Sequence, residues 1–207
     1  MAIEIFMHAE EVPGIYKIDD KSDFKPDKNK FVRLESISQG ITRPIDPIQP
    51  SAFKSGIRTS RVEHGHIIAT RSFDASSIQL LKAHTMGIRI KRAHIFGCRT
   101  VACSDATGKK QYREFRPLIH IVLSDVVIAD YQYAINDDAA SESLGFRYTS
   151  IGWRLRSIKR GSSSDELGNW SECFWDGAKN EGSDKVPDEL LTKTADKLFE
   201  DAEYDGS

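Results

Sequence analysis

The sequence contains no apolar run approaching the ~20 residues that a membrane-crossing helix needs, so bilayer insertion is not expected. Its opening, Met1-Ala2-Ile3-Glu4-Ile5, has neither the basic start nor the long apolar stretch of an export signal. Export by the general secretory route is therefore not expected. Cysteine is scarce and odd in number, with Cys98, Cys103 and Cys173 only, which fits free thiols in a reducing compartment better than a disulfide framework. Cys98 and Cys103 have no second pair to complete a zinc knuckle, and no Gly-rich phosphate loop is present. Basic residues are dispersed among acids without an aromatic-basic stripe, so nucleic acid is not an expected partner. There is no internal repeat.

Catalytic patterns are weak. A Cys98 or Cys103 nucleophile would need a histidine base; His94 and His120 are available, but nothing in the sequence singles them out. His64-Gly65-His66 puts two imidazoles on one face of a strand, a spacing that can ligate metal. Barrel metalloenzymes with His-x-His carry a Glu about four residues on; here that position is Thr70. Surface or lumen histidines are the preferred reading. No catalytic residue, cofactor or metal ligand is assigned.

What the chain does have is length for a core and a strong β signal. Its 207 residues, 39% of them hydrophobic, can bury a core without metal or disulfide. Alternation predicts strands over Ile3–Met7, Phe31–Ser38, Val62–Arg71, Ile88–Phe96, Phe115–Leu123, Val126–Tyr133 and Gly145–Leu155. Asp19–Lys30 reads as a charged loop, Cys98–Gln111 as a polar connection, and Ser124-Asp125 as a tight hairpin link. One helix is predicted over Ala75–Met86. Asp74 or Ser76 caps it, Ile78, Leu81 and Thr85 form its apolar face, Leu80 and Ala83 widen that face, and Gly87 is its left-handed stop. Arg43–Ser60, with Pro44, Pro47 and Pro50, cannot be a central strand and is long for a loop inside a compact domain.

Charge divides the chain. Residues 161–207 hold four lysines against thirteen acids, a net charge of −9; against −2 for the whole chain, that leaves +7 on the first 160 residues. Gly161-Ser162-Ser163-Ser164 reads as a linker. The expected organisation is a β domain over 1–160 and an acidic C-terminal extension over 161–207. Pro187–Glu200 in that extension is an amphipathic helix or is disordered until it docks. Trp170, Phe174 and Trp175 are expected to dock on their own body or on a neighbouring subunit.

Several segments in order resemble the haemolysin-coregulated tube proteins of type VI secretion. The opening strand Met1–Met7 is similar to theirs, as is Glu35-Ser36-Ile37-Ser38-Gln39-Gly40. His66-Ile67-Ile68-Ala69-Thr70-Arg71-Ser72-Phe73-Asp74-Ala75-Ser76-Ser77 resembles their strand ending in a basic residue, then Asp, paired serines and a helix. Leu123–Tyr131 resembles their Asp-x-x-Ile-x-x-Tyr segment, and Glu142–Trp153 their closing strand. His8-Ala9-Glu10-Glu11 departs from the pattern, and the acidic extension has no counterpart in it.

The resemblance implies a mainly β fold, a small β-barrel of two packed sheets with one flanking helix, assembling as a hexameric ring that stacks into a tube. It also implies a non-enzymatic subunit, cytoplasmic before assembly and then expelled. The implied partners are further copies of itself, a spike trimer, sheath proteins and effector proteins in the lumen. A tail-tube protein of a phage-like or extracellular contractile particle shares this architecture. A monomeric ligand- or metal-binding β-barrel is the reading from another class. The family reaches the next subunit with a long loop; here that is Arg43–Ser60, whose prolines lower the entropy lost on docking. The candidate ring contacts are Arg43, Ile45, Ile48, Phe53 and Arg58.

Overall fold

The computed structural model describes residues 3–10, 31–44, 61–104, 111–161 and 164–191. In chain order the strands are β1 (Glu4–Ala9), β2 (Val32–Leu34), β3 (Ser36–Thr42) and β4 (Glu63–Ser72). The helix α1 (Ser77–Thr85) follows, then β5 (Ile90–Ser104), β6 (Gln111–Ile135), β7 (Ala140–Arg147) and β8 (Ser150–Leu155). The chain closes with β9 (Ile158–Arg160), β10 (Asp165–Leu167), β11 (Ser171–Asp176) and β12 (Glu181–Ser183). One sheet runs β12-β11-β8-β6-β5-β1-β2, and a second, β3-β4-β7, joins it through β6. β9 and β10 form a separate antiparallel pair.

The expected mainly β fold with one helix is observed. The two packed sheets expected are present and share one strand, and among the described residues their pairing does not close into a full barrel. Two corners cause this. Phe31–Ser38 is not one strand: the chain breaks at Glu35, so β2 pairs with β1 while β3 pairs with β4 in the other sheet. The second corner is in β6, which spans 25 residues. Its first half pairs with β5 and β8, and its second half with β7. Ser124-Asp125, expected as a hairpin link, is the bend between the halves. Asp125 takes the left-handed region at φ 50, a local kink an acidic side chain tolerates better than the flanking valines. Thr149 N–H donates to Ser124 O at 3.0 Å across the bend.

Two other expected boundaries move. The Cys98–Gln111 connection is mostly strand: β5 continues to Ser104 and β6 begins at Gln111, paired residue for residue. Alternation there continues with polar residues, which hides it from a hydrophobic pattern. Gly145–Leu155 breaks at Tyr148-Thr149 into β7 and β8, which belong to different sheets. The Asp19–Lys30 loop lies outside the described residues.

The core fills the space between the sheets. Met7, Ala93, Ile95, Leu123 and Ile151 from one sheet meet Ile67, Ala69, Leu144 and Phe146 from the other. The helix closes one end with Leu80 and Ala83. Its expected face is partly wrong: Ile78 and Thr85 are exposed, and Ser77, Leu80 and Ala83 are buried. The helix is rolled so that Ser77 reaches a buried carboxylate. Gly87 is the left-handed stop, at φ +61.

Beyond residue 160 the chain stays in the fold. β11 pairs in register with β8 from Ser171↔Leu155 to Asp176↔Ser150. Val186, 3% exposed, sits over Gly152 and Val122 on the face of the sheet opposite the main core. Pro187–Leu191 form turns; the remainder of the expected Pro187–Glu200 helix lies outside the described residues.

Candidate functional site

The segments that carry the family resemblance converge on one buried polar network at the root of α1. Arg71 at the end of β4 and Glu142 in β7 are 2% and 0% exposed, with Nη1 and Oε1 3.2 Å apart. Arg71 Nη1 also donates to Ser76 Oγ at 2.8 Å, and Nη2 pairs with Asp74. Ser77 Oγ donates to Glu142 Oε1 at 2.9 Å, and the Tyr131 hydroxyl donates to the other carboxylate oxygen. Asp74 Oδ1 accepts from the Ser76 N–H at 2.7 Å, holding the turn that starts the helix. Burial, with the Glu142 carboxylate beside it, pushes the Tyr131 phenol well above its usual value, so it stays a donor. A buried ion pair is tolerated when its remaining donors and acceptors are satisfied. This network staples the helix to the sheet formed by β4, β7 and the second half of β6.

A second polar cluster lies on the opposite face of the larger sheet and brings together His94 and His120, which the sequence offered only as histidines that could be near in space. His94 Nδ1 and His120 Nε2 are 3.1 Å apart, with both rings buried. His94 Nε2 lies 3.5 Å from Glu10 Oε1, and Arg92 Nε donates to Glu10 Oε2 at 2.8 Å. The hydrogen bond to His94, together with Arg92, holds the Glu10 carboxyl down at about 2. Burial holds His120 well below the usual histidine value, so it is neutral at pH 7. The only hint of their burial was that both positions alternate with apolar residues on their strands. Cys98 is not an activated thiol: burial pushes it far up.

Trp170 lies between the guanidiniums of Arg154 and Arg156, at 4.8 and 4.5 Å from its ring centroid. Trp175 stacks on His64 at 5.6 Å between centroids. Both tryptophans thus dock on their own chain. The two candidate metal-binding histidines turn their Nδ1 atoms elsewhere: His64 to the Tyr148 hydroxyl at 2.9 Å and His66 to Asp130 Oδ2 at 2.6 Å. Among the described residues no group of three or more His, Cys, Asp or Glu could hold a metal ion. His64, His66, Tyr148 and Trp175 instead line an open cleft of about 600 Å³. Of the candidate ring contacts, Arg43 is exposed just after β3; Ile45, Ile48, Phe53 and Arg58 lie outside the described residues.

Two sheets that share a bent strand, with one helix stapled to the second of them, define a mainly β protein of two packed sheets. Residues 15–155 match the family described as "Type VI secretion system effector, Hcp", and the chain belongs to that family, the tube proteins of type VI secretion. Solved structures agree in fold. A type six secretion system protein superposes with a TM-score of 0.64 at 16% identity, over 88% of this chain and 100% of that one. Hcp1 from Salmonella typhimurium gives 0.57 at 15%, over 88% and 100%. A double mutant of Hcp1 from the E. coli EAEC 042 pathovar gives 0.52 at 15%, over 81% and 97%. No curated protein sequence matches this chain. Among the described residues no helix is long and apolar enough to cross a membrane.

Proposed function

We propose that this chain closes into a six-membered ring, and that the rings stack into a secretion tube that carries effector proteins and is expelled with a spike. The observation that supports it most is a free sheet edge. Among the described residues β3 pairs only with β4, leaving its other edge unpaired where it leads into Arg43. An unprotected edge is a template for another chain, and a head-to-tail contact whose rotation closes makes a ring. Ile41 on that edge is 47% exposed and offers an apolar contact to a neighbouring chain. Arg43, with Ile45, Ile48, Phe53 and Arg58 further along, are the contacts we assign to the ring.

Expulsion intact requires rings that come apart after use, so polar axial contacts, which set orientation and on-rate more than affinity, suit the ring faces. Light scattering on the purified chain tests the ring. A six-subunit mass is expected, reduced to one subunit by Ile41→Asp with the strand signal in circular dichroism unchanged. A wild-type chain that stays single at every concentration overturns the reading. Stacking of rings should weaken as salt rises; insensitivity to salt overturns the polar-contact part alone.

A further inference from the structure

The open cleft is built jointly by the body and the extension. Its walls are the start of β4 (His64, His66), the β7–β8 turn (Arg147, Tyr148) and the end of β11 (Trp175), with Arg61 at the rim. One wall is aromatic: His64 stacks on Trp175 with the planes 12° apart, and Tyr148 meets His64 edge-on at 84°. Burial lowers the pKa of His64, which keeps that ring uncharged at neutral pH. The charge comes from arginine. Arg61 donates to the Gly177 carbonyl, a neutral partner. Arg147 is exposed and has no carboxylate partner among the described residues. The nearby acids are occupied: Asp130 by His66, and Asp176 by the N–H groups of its own turn and by Lys179. Two guanidiniums beside an aromatic wall suit a peptide that alternates carboxylates with an aromatic ring.

The chain carries such a peptide. Glu200-Asp201-Ala202-Glu203-Tyr204-Asp205 has four acids and a tyrosine in six residues. The described chain ends at Leu191, two residues past Glu189, whose carbonyl accepts from Arg92. Arg92, Ser124, Ser150 and Asp176 form one row across the sheet. Arg92 faces the side opposite the main core and Trp175 the core side, so the path to the cleft runs about three strand spacings along that row, roughly 14 Å, and then about 10 Å around the end of the sheet. Nine residues from Leu191 to Glu200 reach up to about 30 Å. We propose that the cleft seats a carboxylate-rich peptide, and that its occupant is the Glu200–Asp205 run of the same subunit.

The test uses the full chain with Glu200→Gln, Asp201→Asn, Glu203→Gln and Asp205→Asn, and a dye-labelled synthetic peptide of residues 192–207 followed by fluorescence anisotropy. The neutralised chain should bind the peptide at least tenfold more tightly than the wild type, whose cleft is already filled. Adding Arg147→Glu should weaken binding at least tenfold, and Arg147→Gln should weaken it less in the same direction, with melting temperatures unchanged. Arg113→Glu, an exposed arginine far along β6, should leave binding within twofold. Self-competition that survives in the single-subunit Ile41→Asp chain assigns the occupant to the same subunit; self-competition lost there assigns it to an adjacent copy and overturns the same-subunit assignment. No binding by the neutralised chain, equal binding by wild type and neutralised chain at every concentration, or equal losses from Arg147→Glu and Arg113→Glu overturns the proposal. These readouts do not depend on whether the chain forms rings.

Discussion

The helix staple and the C-terminal cover hold different sheets by opposite means: the staple ties α1 to β4, β7 and the second half of β6, and the cover lies on the larger sheet. The staple is charged and mostly buried: Arg71, Asp74, Ser76, Ser77, Tyr131 and Glu142 bond to one another, and only the Arg71 Nε is left without a partner among them. The cover uses shape and stacking: Val186 fills the space left by the missing side chain of Gly152, and Trp170 lies between two arginines. The staple falls inside the family match at residues 15–155, whereas β11 and Val186 fall beyond it. A polar interior network fails as a unit when one member is lost. A steric cover can be loosened in steps.

The largest effect should come from the staple. Glu142→Ala leaves Arg71 buried without its innermost partner and should cost about 3–5 kcal/mol, measured by urea unfolding. A loss under about 1 kcal/mol would place the pair energetically at the surface, against its burial. In the cover, a Cβ on Gly152 would stand 2.8 Å from both Val186 methyls and 2.9 Å from a Val122 methyl. Gly152→Ala should therefore cost about 1–3 kcal/mol. Val186→Ala should cost about 2 kcal/mol by itself, from lost burial and the space left behind. The double variant should then cost less than the two summed, because each change makes room for the other. Strict additivity would show that Val186 does not rest on Gly152.

The smallest effect is in pH. A histidine whose folded value lies below its unfolded one makes the unfolded chain bind more protons as pH falls. The stability contributed by neutral His120 is thus full above about pH 6.5 and is lost progressively below it. Glu10, held down to about 2, has the same sign in a lower window: its contribution is present above its unfolded value and is lost as pH falls toward 2. His120→Gln should flatten the decline just below pH 6.5 and leave the lower one. An unchanged profile would remove His120 as its source.

Strand existence was legible because apolar residues alternate along β1, β4 and β5, and the helix was bounded by Asp74 and Gly87. What failed was the reading of corners. A polar pair such as Ser124-Asp125 marks a hairpin or a bend equally well, and only the change of partner from β8 to β7 distinguishes them. The staple residues were all visible as parts of motifs, yet Ser77 and Glu142 are 65 positions apart and their contact is tertiary. Nothing in the composition of an acidic extension announces that Cys173 will pair with Trp153. The cleft shares that origin, since Trp175 comes from the extension and His64 from the body.

Electron microscopy of the purified full-length chain tests the central claim most directly. Six-fold rings with an open centre, some stacked end to end, are the expected result. Fields of isolated subunits with no rings at any concentration would contradict it.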